Sequence, residues 1–476
     1  MSYGLYIGKN LTADGNAWLA GYGDEPSSHW LEIVPRARHS ADETITVGVT
    51  EQADLPGRRS QIPQVSETHR NLRVCYSSYK GIPAPITNGG LNEFGVAVRD
   101  IWSPSRPELV ALTPKEQSGP NYSDFARLVT ERAKTAREGV ELIAVLIAQH
   151  GECSYGGNSH IIADANEAWV MVQFSGGQGL WAAERLGADS IRASRPGYIC
   201  EIPIAEPDHP DYIYSDNLVS FAKSMGWYTE GVFDANTVYG DGKGRWAGVQ
   251  WIEAQMAERA RTGQKIGLND MVWALRTSKL TGDKAGYGQI VPLVEPAHND
   301  LRMLWHAPIG AIAAPFSPVF MGQTDIPPEF GKHRYLTAGE AHCFLDDRKI
   351  DETELNAPST VSQWNESSRC AVAECKRLLY LMLQDTERFA PEVTEAFANH
   401  EARVIAQTGE MRRTAEILLN QDEKVLAATL LTYFSSQELL AGLGLVQALC
   451  AGIEPRARIF GRPDGSRDVK KYEQIW

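Results

Sequence analysis

Apolar and polar positions alternate from the start of the chain, with Tyr3, Leu5 and Ile7 set against Gly4, Tyr6 and Gly8. A polar stretch, Lys9 to Asn16, carries the turn signal Asp14-Gly15, and Ala17-Trp18-Leu19-Ala20 returns. The pattern predicts a β-hairpin. Antiparallel pairing about that turn sets Ser2 near Gly23 and brings Gly21 to Asp24 beside the start of the chain. Further strands are predicted over 42–49, 73–79, 85–100, 159–164, 168–174, 289–294 and 301–306, broken by Gly and Pro. A helical repeat through Phe125, Leu128, Val129, Ala133, Ala136, Leu142, Val145 and Leu146 predicts a helix over 122–150. Asn121 to Asp124 supply its capping residues. Helical spacing recurs over 215–226, 245–262 and 268–276.

Near residue 325 the texture changes. PPEFGKHRYLTAGE is loop-like, the chain after 367 is mostly helical, and 461–476 is a polar tail. Strand-rich first and helix-rich last argues for an α+β fold rather than alternating βαβ units. The expected division is a core over residues 2–325 and a helix-rich segment over 326–476. That segment reads either as a packing layer on the core or as an element of homo-oligomer assembly.

Composition narrows the function classes. The 476 residues are 43% hydrophobic, enough for a large core. Sixty acidic residues against 46 basic ones give a net charge of −14, which opposes a general phosphate-backbone binder. No nucleic-acid partner is expected. No apolar run approaches the ~18 residues of a membrane helix, and no basic region followed by an apolar core opens the chain. The expectation is a cytoplasmic protein without a membrane partner. Seven scattered cysteines fit reduced thiols in that setting.

Candidate chemistry thins out quickly. The eleven histidines are dispersed, with no HExxH and no cysteine pair at zinc spacing. Asp234-Ala-Asn236 begins like a calcium loop but Val238 breaks it, and neither Gly240–Gly244 nor Gly176–Gly179 has a phosphate-binding fingerprint. No metal or cofactor is expected. No GxSxG elbow appears. Each histidine reads more readily as a surface or core residue than as a base, and His298 and His306, which flank a strand pattern, are the least easily dismissed.

The terminus itself remains. Loss of Met1, which a small second residue permits, leaves Ser2 first. Its hydroxyl is a weak nucleophile until a base takes its proton. A free α-amine, with a pKa of about 7.7–8.0, is partly neutral near pH 7 and can serve directly or through a water. Asp24 would orient the ammonium form. On residue type alone, Ser2 as the plain start of an edge strand stands beside this reading.

SYGLYIGKNLTADGNAWLAGYGDE resembles the opening of the N-terminal-nucleophile dipeptidases, the bacterial dipeptidase group related to the secernins. That family's pattern is a nucleophilic Cys, an apolar strand ending Gly-Lys, an Asp-Gly turn, and then Ala-Arg-Asn-Glu-Asp. Gly90–Ala97, Asn158–Asp164, Glu167–Val170 and Trp181–Arg185 resemble later family segments, so the likeness spans roughly residues 2–320. The resemblance implies a four-layer αββα sandwich with the nucleophile at the first strand's start. It also implies a small-molecule amide or peptide as substrate, with Asn92 contributing to the oxyanion hole through backbone or side chain. Asn92 reads alternatively as an ordinary turn residue, and Asn158 either shapes the site or is a buried structural amide.

Departures from the family pattern are informative. Ser2 stands for the Cys, and Gly21-Tyr22-Gly23-Asp24 for Arg-Asn-Glu-Asp, so the Arg beside the nucleophile is missing while Asp24 remains. Arg195 aligns with an Asn expected to donate to the oxyanion. It would replace that donor or grip a substrate carboxylate bidentately. Tyr3 and Tyr22 either shape an apolar pocket or pack as strand residues. The expected activity is hydrolysis of a dipeptide, an N-acyl amino acid or a related amide. The alternatives are a non-catalytic relative that binds a ligand in its pocket, and an acyltransferase using the same acyl-enzyme.

Overall fold

Strand alternation at the start of the chain produces two buried faces rather than one. In the computed structural model, which describes residues 3–23, 29–76, 81–83, 86–261, 265–282, 285–334, 361–460 and 474–476, the strands Tyr3–Ile7 and Ala17–Tyr22 pair antiparallel. Tyr3 lies opposite Tyr22 and Gly4 opposite Gly21, the register the sequence requires. These strands are interior members of a six-stranded antiparallel sheet in the order 191–194, 3–7, 17–22, 288–293, 303–307, 317–320. A second antiparallel sheet has eight strands in the order 212–214, 181–186, 168–173, 158–163, 97–102, 86–92, 71–76, 29–34.

Tyr6 and Leu19 of the first sheet share an apolar cluster with Leu72, Ile101, Ile161 and Val170 of the second, so the sheets pack face to face. Tyr3, Leu5, Ile7 and Tyr22 point the other way, into a cluster with the helices Ala247–Arg261 and Leu268–Arg276. Val98, Ile162 and Met171 of the second sheet face the helices Tyr122–Arg132 and Ala136–His150. Period-2 alternation assigns each strand residue to one of these layers. The mixture of sheets and helices is the α+β class expected.

Helices Ala371–Met382, Thr386–Asn420 and Lys424–Phe460 complete the described chain. Leu378, Phe389, Phe397, Leu431 and Val446 share one cluster with Tyr3 and Leu5, so these helices pack on the first sheet. The helix Lys424–Ile459 corrects one expectation, because an 18-residue window with mean hydropathy 1.3 is long and apolar enough for a membrane span by length and composition. Its Ala427, Leu431, Val446 and Ile453 are buried in the shared cluster.

Two predicted elements are divided. The helix expected over 122–150 breaks at Ala133, whose ψ of 142° is extended, and Thr135 restarts it by accepting the Glu138 N–H. The strand expected over 85–100 is two strands, Ile86–Asn92 and Ala97–Trp102, joined by a turn that needs φ +88° at Gly95. Asp234, suspected of opening a cation loop, caps a short helix by accepting from the Thr237 N–H.

Candidate active site

Three neighbouring strands end together. Gly4 lies opposite Gly21 on one side and Ser194 on the other, so Tyr3, Tyr22 and Arg195 follow at the rim of the first sheet. The Tyr22 hydroxyl donates to the Leu280 carbonyl at 2.7 Å and accepts from Arg195 Nη1 at 2.6 Å. The Arg195 guanidinium also stacks on Trp476, 4.4 Å from the ring centre. Trp476 lies 5.5 Å from the Tyr3 ring and donates from Nε1 to the Leu280 carbonyl. Tyr22 and Arg195 are therefore brought together on the helix-covered face with Tyr3. The Tyr22 hydroxyl is committed to Leu280 and Arg195, while the buried Arg195 Nε makes no hydrogen bond among the described residues.

The opposite face of the same rim holds Gly4 and Gly21. Arg99 reaches this face from the second sheet, and its Nε lies 3.0 Å from where a Cβ on Gly21 would sit. Arg99 Nη1 donates to Gln289 Oε1 at 2.7 Å, and the Tyr287 ring centre is 5.2 Å from its Cζ. Sequence reasoning missed Arg99. The only signal was a cation in a strand otherwise reading as buried, Val96-Ala97-Val98-Arg99.

Asp100 and His160 face each other on the helix side of the second sheet. Burial pushes the Asp100 carboxyl up to about 7, against the lowering effects of the Asn158 and Asn88 amides and of Arg99. Asn88 Nδ2 donates to it at 3.1 Å. Burial pushes His160 down to about 4, and its ring sits 3.0 Å from the Tyr122 carbonyl. Asn158 thus acts on Asp100, at the strand end level with Trp102.

Asn92 is a correction. It lies at the far end of its strand from Asn88 and Asp100. Its Nδ2 donates to the Thr130 and Ala133 carbonyls at 3.1 and 2.7 Å, and its Oδ1 accepts from the Phe94 and Val96 N–H groups. Both amide hydrogens are committed, so this side chain has none left for an oxyanion. It fixes the turn into the next strand and the helix end at Ala133. Of the candidate bases, burial pushes His306 down to about 3, and His298 Nε2 lies 2.9 Å from Asn420 Oδ1. Ser2 and Asp24 lie outside the described residues.

The fold is a pair of stacked antiparallel sheets whose first strand begins at a largely buried, polar rim. In sequence the chain is related to peptidases, because residues 63–245 match the model of Peptidase family C69. A probable dipeptidase B of Streptococcus pyogenes serotype M3 is 30% identical over 235 residues, 48% of this chain and 43% of that protein. A probable dipeptidase of Salmonella dublin is 32% identical over 243 residues, 49% of this chain and 52% of that protein. The chain spans about half the length of the curated relatives it matches. A mutant conjugated bile acid hydrolase from Clostridium perfringens superposes with a TM-score of 0.32 at 10% identity, over 68% of this chain and 94% of that one. The dipeptidase resemblance carried by the residues is thus matched by both curated relatives, and the family model is that of a peptidase family.

Proposed function

We propose that this chain is an amide-bond hydrolase in which Ser2, first after loss of Met1, attacks a dipeptide, an N-acyl amino acid or a related small amide. The stacked sheets with helices outside are then the αββα sandwich of N-terminal-nucleophile hydrolases, over residues 2–325, with 326–476 as its helical cover. One observation carries this reading. The first strand is interior, with Gly4 paired to both Gly21 and Ser194, so the chain enters the first sheet at its rim between two neighbouring strands. Asp24 follows the rim residue Tyr22 by two positions.

The Ser2 proton passes to the neutral α-amine as the Oγ–C bond forms. The ammonium, held by Asp24, returns it to the leaving nitrogen as the C–N bond breaks, and water then releases the acyl group. Arg195 and Tyr22 brace the first strand from behind, and Asn158 acts through Asp100. The reading calls for no cofactor, and the six described cysteines, all unpaired, suit a reducing cytoplasm.

Intact-mass measurement is expected to show loss of Met1. Ser2→Ala is expected to abolish amide hydrolysis at unchanged thermal stability, while Ser2→Cys retains it because a thiol is the better nucleophile near neutral pH. Full retention of Met1, or wild-type rates in Ser2→Ala, overturns the reading.

A further inference from the structure

A buried carboxyl group is normally hydrogen-bonded or paired with a cation. Glu152, two residues beyond the helix Ala136–His150, is neither among the described residues. It is 8% exposed, and its Oε1 makes no hydrogen bond. Burial alone acts on its carboxyl, pushing it up to about 8 with no positive charge in opposition. Glu152 lines a cavity of about 650 Å³, a volume typical of small-molecule sites. The more exposed carboxylates of Glu116 and Asp216 line it too, and neither has a hydrogen bond or ion pair with a described residue. Among the described residues no lysine or arginine does so. Trp181, Tyr214 and Ile147 supply apolar surface. No described group of three acidic, His or Cys side chains is placed to hold a metal ion, so the negative charge is spread along the cavity rather than focused at a point.

We propose that this cavity binds an organic amine, with its ammonium against Glu152 and its hydrocarbon part against Trp181, Tyr214 and Ile147. The site does not rest on the hydrolase reading, and the rim residues Tyr3, Tyr22 and Arg195 do not line it. An ammonium donates charge-assisted hydrogen bonds to a carboxylate and is attracted to the faces of Trp and Tyr. The pairing is stronger at a buried carboxylate than at exposed ones. Glu152 therefore fixes the ammonium, while Glu116 and Asp216 draw it in from solvent. Near pH 7 the empty cavity holds Glu152 largely protonated, and the arriving ammonium displaces that proton to solvent. The other titratable groups lining the cavity are Glu116, Asp216 and Tyr214.

Calorimetric titration of the full chain with benzylamine, phenethylamine and hexylamine, each beside its neutral N-acetyl form, tests this directly. At least one amine is expected to bind ten-fold or more tightly than its N-acetyl form. In buffers of different ionisation enthalpy, wild-type binding near pH 7 is expected to release about one proton per ligand. Glu152→Gln is expected to remove both the preference and the proton release at no loss of thermal stability, because it replaces a buried acid that pairs with nothing. Glu152→Asp is expected to keep part of the preference. A merely structural Glu152 would weaken both ligand forms alike. Equal binding of both forms by the wild type, no binding by any amine, no proton release, or full preference in Glu152→Gln overturns the proposal. If neither variant folds, the wild-type preference and proton release decide alone. Ser2→Ala is expected to bind amines as the wild type does, so the two claims fail separately.

Discussion

Arg276 and Glu401 meet through two parallel hydrogen bonds, Nη1 to Oε2 at 2.8 Å and Nη2 to Oε1 at 2.6 Å. Arg276 ends the helix Leu268–Arg276, and Glu401 lies within Thr386–Asn420, so the pair ties the C-terminal helices to the core. The Phe316 N–H also donates to Glu401 Oε1 at 2.8 Å. Both side chains are at least nine-tenths buried. Removing one partner strands a buried charge, so Glu401→Ala is expected to cost about 3–5 kcal/mol. The double variant Arg276→Met, Glu401→Leu is expected to recover most of that. Urea denaturation of the set measures both, and a fully stable single variant would contradict the expectation.

Asn92 separates a structural role from a catalytic one by magnitude. Asn92→Ala removes four hydrogen bonds inside the core and is expected to cost roughly 2–4 kcal/mol of stability. Measured well below the melting temperature, kcat is expected to stay within about two-fold. An oxyanion donor would instead lose about 10²–10³ in kcat.

Gly248 makes room for Trp476, since a Cβ there would lie 2.3 Å from the ring. In the wild type, Gly248→Ala is expected to destabilise by displacing that ring from Tyr3 and Arg195. In a Trp476→Ala background the clash is gone, and alanine's better helix propensity is expected to stabilise by about 0.5–1 kcal/mol. The sign reversal, read by a double-mutant cycle in urea, is the test.

Asp100 makes stability depend on pH in a fixed direction. Its folded pKa is raised to about 7, against about 3.9 unfolded. Between these values the folded protein keeps a proton the unfolded chain has released. The contribution is therefore fully present below about pH 3.9 and is lost as pH rises to about 7. Asp100→Asn removes that loss. The variant is expected to gain on the wild type from pH 4 to pH 7 and level off above, by up to about 4 kcal/mol. Parallel denaturation series across pH check the slope.

Local order was legible where a residue's neighbours in sequence are also its neighbours in space. Tyr3 to Ala20 spell the hairpin and its register, and Asn121 with Asp124 forms the capping box expected of them. Asn92 was read through family likeness as an oxyanion group, because a motif records a residue type but not where its amide hydrogens point. Thr135 restarts a helix inside a continuous apolar repeat, and the strands 29–34, 181–186, 191–194 and 317–320 carried too little pattern to be predicted.

Alternation along the first strand determined from sequence alone that Tyr3, Leu5 and Ile7 oppose Gly4 and Tyr6, because side-chain direction in a strand is a local property. Tertiary structure alone decided what each face meets. Arg99 reaches the glycine face of the rim from a strand nearly eighty residues downstream of Gly21, and Trp476 packs on the other face from the far end of the chain. Such contacts depend on how two sheets and distant segments stack, and the burial that raises a carboxyl pKa exists only once they have.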